Sequence, residues 1–150
     1  MLRRVGGAME MSKAALQASN TSSQNVIADG NINVGSIRLK FGRDITINSG
    51  NVAIKSCGYY TVNQLVTIQP TAIGPVAVKL QHNGVDIPGA IAYGYATVAD
   101  QNVTLNLGSI LVRVKCMDGC PCENIPDTLT TVLVEGPGVV TSVVTSVVKQ

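Results

Sequence analysis

From Tyr59 to Gln69 the chain reads YYTVNQLVTIQ, and its apolar residues recur at every second place. Tyr60, Val62, Val66 and Ile68 share one side of an extended strand, with Gln64 as a polar interruption. The other side carries Tyr59, Thr61, Asn63 and Thr67, with Leu65 as its apolar exception. Successive strand side chains point to opposite faces, so this period of two marks a strand with one face in a core and fits no helix. VAVKL repeats the signal, with Val76, Val78 and Leu80 opposed to Ala77 and Lys79. So does ILVRVKC, with Ile110, Val112, Val114 and Cys116 opposed to Leu111, Arg113 and Lys115.

The rest of the chain after Gly35 follows the same rule. Short runs rich in Val, Ile and Thr alternate with Gly, Asn and Pro. Strands are expected at Ser36–Phe41, Asp44–Ile47, Asn51–Lys55, Tyr59–Gln69, Val76–Gln81, Val85–Ile87, Ala90–Val98, Val103–Leu107, Ile110–Cys116, Thr128–Glu135 and Val139–Lys149. Asn83-Gly84 accepts the positive φ that a tight hairpin turn requires. All six prolines fall between the runs, where a missing N–H breaks no ladder bond.

The C-terminal VVTSVVTSVVKQ is almost wholly β-branched or Ser, which favours a strand over a helix. Uninterrupted alternation puts Val140, Val144 and Val148 on one face and Val139, Val143 and Val147 on the other. One face is expected in a sandwich core and the other against a second subunit. Candidates for that subunit contact are Tyr60, Tyr95, Val139, Val143 and Val147. Many short strands and no long helix predict an all-β, antiparallel β-sandwich.

Residues 1–35 read differently. Apart from a possible helical turn at Lys13–Ala18, they are rich in Ser, Asn, Thr, Gln and Gly. They are expected to form an extended N-terminal arm, ordered against a partner, with the sandwich domain spanning 36–150. The opening MLRRVGGAMEMSKAAL has two arginines and no apolar h-region, so no secretory signal is read and synthesis in the cytoplasm is expected. Met1, Met9 and Met11 are all possible starts, which an intact mass would distinguish.

Composition narrows the function. A chain of 150 residues, 45% hydrophobic and 13% charged, suits one globular domain. No apolar run reaches the roughly 20 residues of a membrane-spanning helix, and no membrane partner is expected. Net charge is +2, the basic residues form no dense stripe, and Phe, Tyr and Trp number one, four and none. Nucleic acid is therefore not an expected partner.

Chemistry-bearing residues are few. Cys116-x-x-x-Cys120-x-Cys122 has the residue type for zinc or an iron–sulfur cluster, but it lacks the paired Cys or Cys/His spacing of structural sites. Metal ligation, a disulfide within the loop or between chains, and free thiols all fit these three residues. Cys57 is expected to be a small, buried or half-buried residue. His82 is the sole histidine and sits beside a turn, with only Asp86 nearby in sequence, so nucleophilic catalysis through it is not expected. The acids are dispersed beside turns, and no phosphate-cradling Gly loop occurs. Tyr93-Gly94-Tyr95 could stack a sugar or pack against a subunit. The chain is expected to be no enzyme and to hold no cofactor.

The stretch NVAIKSCGYYTVNQLVTIQPTAIGPVAVKLQHNGVDI, 51–87, resembles the globular-head jelly rolls of the complement and tumour necrosis factor superfamily. Three marks carry the resemblance. They are Gly58-Tyr59-Tyr60 opening an alternating strand; Val76–Leu80 followed by Asn83-Gly84 and apolar Val85 and Ile87; and Leu105-Asn106-Leu107-Gly108 before the apolar strand at Ile110–Val114.

More narrowly, the layout resembles small proteins encoded in phages and prophages of Gram-positive gut bacteria. Its marks are Gly30–Gly35, Phe41-Gly42, Ile87–Ala90, a Cys-containing turn after Val112–Val114, and Thr128–Thr130. The low aromatic content and the Cys-rich loop depart from the vertebrate members. The resemblance implies a homotrimer of TNF-like jelly rolls. It points to a non-enzymatic virion structural protein, of capsid-decoration or head-fibre type. The arm would dock on the capsid or another virion protein. The alternative is a glycan- or receptor-binding head on a phage tail or a bacterial cell or spore surface.

Overall fold

The computed structural model describes residues 13–115 and 126–150, and the descriptions below concern those residues. They form twelve strands: β1 Ala15–Asn20, β2 Gln24–Val26, β3 Asn31–Ile32, β4 Ser36–Phe41, β5 Ile45–Asn48, β6 Asn51–Ile54, β7 Gly58–Pro70, β8 Gly74–His82, β9 Val85–Ala96, β10 Val103–Val114, β11 Asp127–Glu135 and β12 Gly138–Lys149. They build two sheets. The first runs β10-β7-β12-β1-β4, with β2 on β12, and the second runs β5-β6-β11-β8-β9, with β3 on β11. Every pairing is antiparallel. The expected all-β antiparallel sandwich is the observed fold.

The inner faces supply the core. From β7 come Tyr60, Val62, Val66 and Ile68, from β8 Val76, Val78 and Leu80, and from β11 Leu129 and Leu133. The β7 and β8 residues are those that alternation assigned to one side of each strand. The runs expected at 85–87 and 90–98 join into β9, and those at 103–107 and 110–116 join into β10. Irregular register near Leu80 and at Leu107 carries the chain through without ending the strand.

Residues 13–35 do not form an arm. β1 lies between β12 and β4, and Leu16, Ala18, Val26, Ile32 and Val34 are buried in the core. The helical turn expected at Lys13–Ala18 is the start of this strand. Tertiary pairing overrides weak local preference here: six residues of β1 are in register with β12, from Ala15 opposite Val148 to Asn20 opposite Val143. The domain therefore includes everything described from Lys13 onward, and the boundary expected at residue 35 falls inside it.

The Gln64 interruption also has a physical account. Gln64 is buried between the sheets. Its Nε2 donates to Thr145 Oγ1 on β12 at 2.9 Å, and its Oε1 accepts from Thr131 Oγ1 on β11 at 3.0 Å. The amide thus ties both sheets together through a satisfied polar contact, which is how buried polar groups are tolerated. Gln64→Leu is expected to cost about 2–3 kcal/mol, because two buried hydroxyls lose their partner. The combination Gln64→Leu/Thr131→Val/Thr145→Val removes every member and should recover most of that loss in urea denaturation.

Candidate interaction face

The outward side of the first sheet carries six exposed large hydrophobic side chains, Leu39, Phe41, Tyr59, Leu65, Leu111 and Val148. Strand register places its side chains in rows. One row runs Phe41, Ala15, Val148, Thr61, Leu111 across β4, β1, β12, β7 and β10. A second runs Ser19, Val144, Leu65, Asn106. Between them lies a polar row of Gln17, Ser146, Asn63 and Ser109, with Leu39 at its β4 end. In that row Ser109 Oγ donates to Asn63 Oδ1 at 2.9 Å.

Phe41 is 63% exposed and Leu111 61%, and Leu39, Tyr59, Leu65 and Val148 are also open. A shallow groove of about 370 Å³ follows the β4 side of the face, lined by Ala15, Leu39, Phe41 and Val148 among others. Exposed apolar side chains gathered on one sheet face, here interleaved with a polar row, make this face a candidate interaction site.

The sequence-derived contact residues divide. Tyr60, Val143 and Val147 are fully buried in the core and cannot touch a second subunit. Val139 is half-buried on the outward side, and Tyr95 is 59% exposed on β9. The cause in β12 is a bulge. Val140 pairs with Ile68 and Ser142 with Thr67, so Thr141 is an extra residue that shifts the phase of the strand. Val140, Val143, Thr145 and Val147 then all point inward, and Val144 and Val148 point outward. Leu65, the apolar exception on β7, lies on this outer face, opposite Val144.

The end of the sandwich where β12 finishes holds a compact polar cluster. Lys149 Nζ lies 3.1 Å from Asp44 Oδ2 and donates to Ser56 Oγ at 3.3 Å. Its ammonium stands 6.0 Å from the centroid of the Tyr60 ring. Tyr60 Oη donates to the Ser56 carbonyl at 2.8 Å. Burial pushes the Tyr60 phenol above its ordinary value, the Ser56 hydrogen bond partly offsets this, and the charges of Asp44 and Asp127 push it further up.

A group that holds its proton more tightly when folded stabilises the fold below its unfolded pKa, and that stability is lost as pH rises through the folded pKa. Alkaline unfolding is therefore expected to begin above about pH 10. Tyr60→Phe should flatten that limb in a denaturation series while lowering stability at pH 7 by about 1 kcal/mol through the lost hydrogen bond.

His82 has a carboxylate partner that sequence proximity did not reveal. Its Nε2 lies 2.6 Å from Asp127 Oδ2, across 45 residues of chain, and both side chains are part-buried. The pair clasps the β8–β9 hairpin to the start of β11, reinforced by the Thr128 N–H donating to Asn83 Oδ1 at 2.8 Å. Asp86 instead meets Lys79 at 3.0 Å. Cys57 is half-buried, as expected, and is disulfide-bonded, which was not. Cys116, Cys120 and Cys122 lie outside the described residues. Among the described residues no group of His, Cys, Asp and Glu is placed to hold a metal ion.

No protein-family model matches the chain, and no curated protein matches its sequence. Its backbone does match solved structures. Murine APRIL at pH 5.0 superposes with a TM-score of 0.69 at 10% identity, covering 93% of this chain and all of that one. Eiger TNF from S. frugiperda superposes at 0.63 with 16% identity, covering 91% of each. The fold is a TNF-like jelly roll. The PRD1 vertex protein P5 also matches, with a TM-score of 0.56 at 10% identity, covering 91% of this chain and 96% of that one. At these identities the likeness is one of fold.

Proposed function

We propose that the chain is a non-enzymatic, homotrimeric structural protein of a bacteriophage virion, of the capsid-decoration or head-fibre type. The apolar outer face of the first sheet carries this reading. Covering its exposed apolar side chains is favourable, and three copies around a threefold axis would cover them in a closed assembly. The similarity in fold to a phage vertex protein supports the virion setting. In this reading the residues before Lys13 dock on the capsid or another virion protein and the jelly rolls project outward.

The test is detection of the chain in purified particles from its source strain. Recovery in banded particles supports the reading, and recovery only in cell extract or cell wall contradicts it. A docking truncation must stop at residue 12, because removing residues 13–35 would delete β1, β2 and β3 from the sandwich.

A second reading, a glycan- or receptor-binding head, is favoured by one observation. Tyr93 and Tyr95, 72% and 59% exposed, project from the same side of β9 above Ala77 and Pro75. Two adjacent exposed rings on one sheet face suit sugar stacking. Glycan-array binding abolished by Tyr93→Ala/Tyr95→Ala would favour that reading.

A further inference from the structure

Neither the core nor the outer face of the first sheet uses Tyr93 and Tyr95. Both stand exposed on β9, on the outward side of the second sheet. Gly94 between them points inward. A Cβ there would lie 2.7 Å from Leu105 Cδ2 and 2.7 Å from Val103 Cγ1, so β9 rests directly on β10 side chains at the point between the two rings. Same-side neighbours on a strand are about 6.6 Å apart, which sets the two rings side by side. Opposite them on β8 stand Ala77 and Pro75, neither of which offers a polar side-chain group. Among the described residues neither phenol has a hydrogen-bond partner.

The next row of the same face is polar. Lys79 stands opposite Ile91, one row from Tyr93. Its ammonium meets Asp86 at 3.0 Å, and Gln81 Nε2 donates to Asp86 Oδ1 at 2.9 Å. The Asp86 side chain is 60% exposed and that of Lys79 23%. This set is balanced in charge, with donors on Lys79 and acceptors on Asp86 and Gln81.

We propose that the strip binds a neutral glycan chain running along β9, with sugar rings stacked on Tyr93 and Tyr95 and hydroxyls hydrogen-bonded to Lys79, Gln81 and Asp86. The proposal rests on the glycan-binding reading above and adds the class of sugar. Three observations select it. The C–H face of a pyranose covers an exposed aromatic ring, and two such rings stand in line. Sugar hydroxyls both donate and accept, as the mixed polar set requires. An anionic sugar meets the Asp86 carboxylate and finds Lys79 already paired, so charge selects against it.

The strip lies on the second sheet, whereas the subunit contact is assigned to the first. β8 begins beside Tyr95 and finishes at His82 against Leu129, near the start of β11. The rings thus stand toward the end of the sandwich opposite to the one where residues 116–125 join it.

The test is a ligand-observed NMR titration of the full chain with four soluble hexasaccharides: cellohexaose, laminarihexaose, mannohexaose and the anionic hexagalacturonate. A neutral hexaose is expected to bind more tightly than hexagalacturonate. Tyr93→Ala and Tyr95→Ala should each weaken it about fivefold or more, while Tyr93→Phe and Tyr95→Phe, which keep the ring, stay within about twofold. Ile27→Ala, exposed elsewhere on the sandwich, should leave binding unchanged. Asp86→Asn frees the Lys79 charge and should shift the preference toward hexagalacturonate.

A wild-type preference for hexagalacturonate would overturn the proposal, as would binding that survives both alanine variants or binding to none of the four. If an alanine variant does not fold, the wild-type preference and the Asp86→Asn shift decide. The glycan-binding reading fails separately. Array binding that does not depend on Tyr93 and Tyr95 keeps that reading and sinks the proposal, and an array with no bound glycan ends both.

Discussion

Asp44→Ala is expected to destabilise the domain by about 3–5 kcal/mol, because it removes the carboxylate partner of a buried ammonium. Lys149 is only 5% exposed and Asp44 16%. The alanine variant leaves the charge in place, with Ser56 Oγ at 3.3 Å and the Tyr60 ring as its remaining neighbours among the contacts described above. For a domain of this size that loss lowers the melting temperature by on the order of 6–20 °C.

The combination Asp44→Leu/Lys149→Met removes both charges and should stand much nearer to wild type, since a buried ion pair and an apolar pair of similar volume are often equivalent. Scanning calorimetry of the single and double variants distinguishes them. Equal destabilisation in both would mean that the pair itself supplies the stability. The contact also pins the end of β12, the middle strand of the first sheet, to the second sheet, so the loss should be global.

The second large effect concerns assembly. Leu65→Arg/Val148→Asp places charges in both apolar rows of the outer face without touching the core. Sedimentation of the wild-type chain is expected to give a trimer, and the variant a folded monomer. Tyr93→Ala/Tyr95→Ala lies on the other sheet and serves as the comparison. A trimer surviving in the Leu65/Val148 variant would move the subunit contact to another surface.

The strands were legible because their physics is local. A side chain either returns at every second place or does not, and β7, β8 and β10 were readable from that alone. The Asn83-Gly84 hairpin was legible for the same reason, and Asn83 takes the positive φ of 52° that the turn needs. What failed was non-local. β1 reads ALQASN, with only Leu16 and Ala18 to bury, and its strand character comes from the ladder that β12 and β4 provide.

The bulge at Thr141 leaves no mark in a sequence of repeated Val, Thr and Ser, yet it moves Val143 and Val147 from the expected contact face into the core. Asp127 was invisible as the partner of His82 because the sheet brings the two together across 45 residues. The candidate face itself had one visible signal. Leu65 is an apolar residue on the polar side of β7, and only the register with Val144 turns it into part of a row.

Native mass spectrometry of the purified chain, sprayed without reductant, tests the central claim most directly. A covered apolar sheet face predicts a species at three times the 15.6 kDa chain mass. A folded species at the single-chain mass, persisting at high protein concentration, would contradict it.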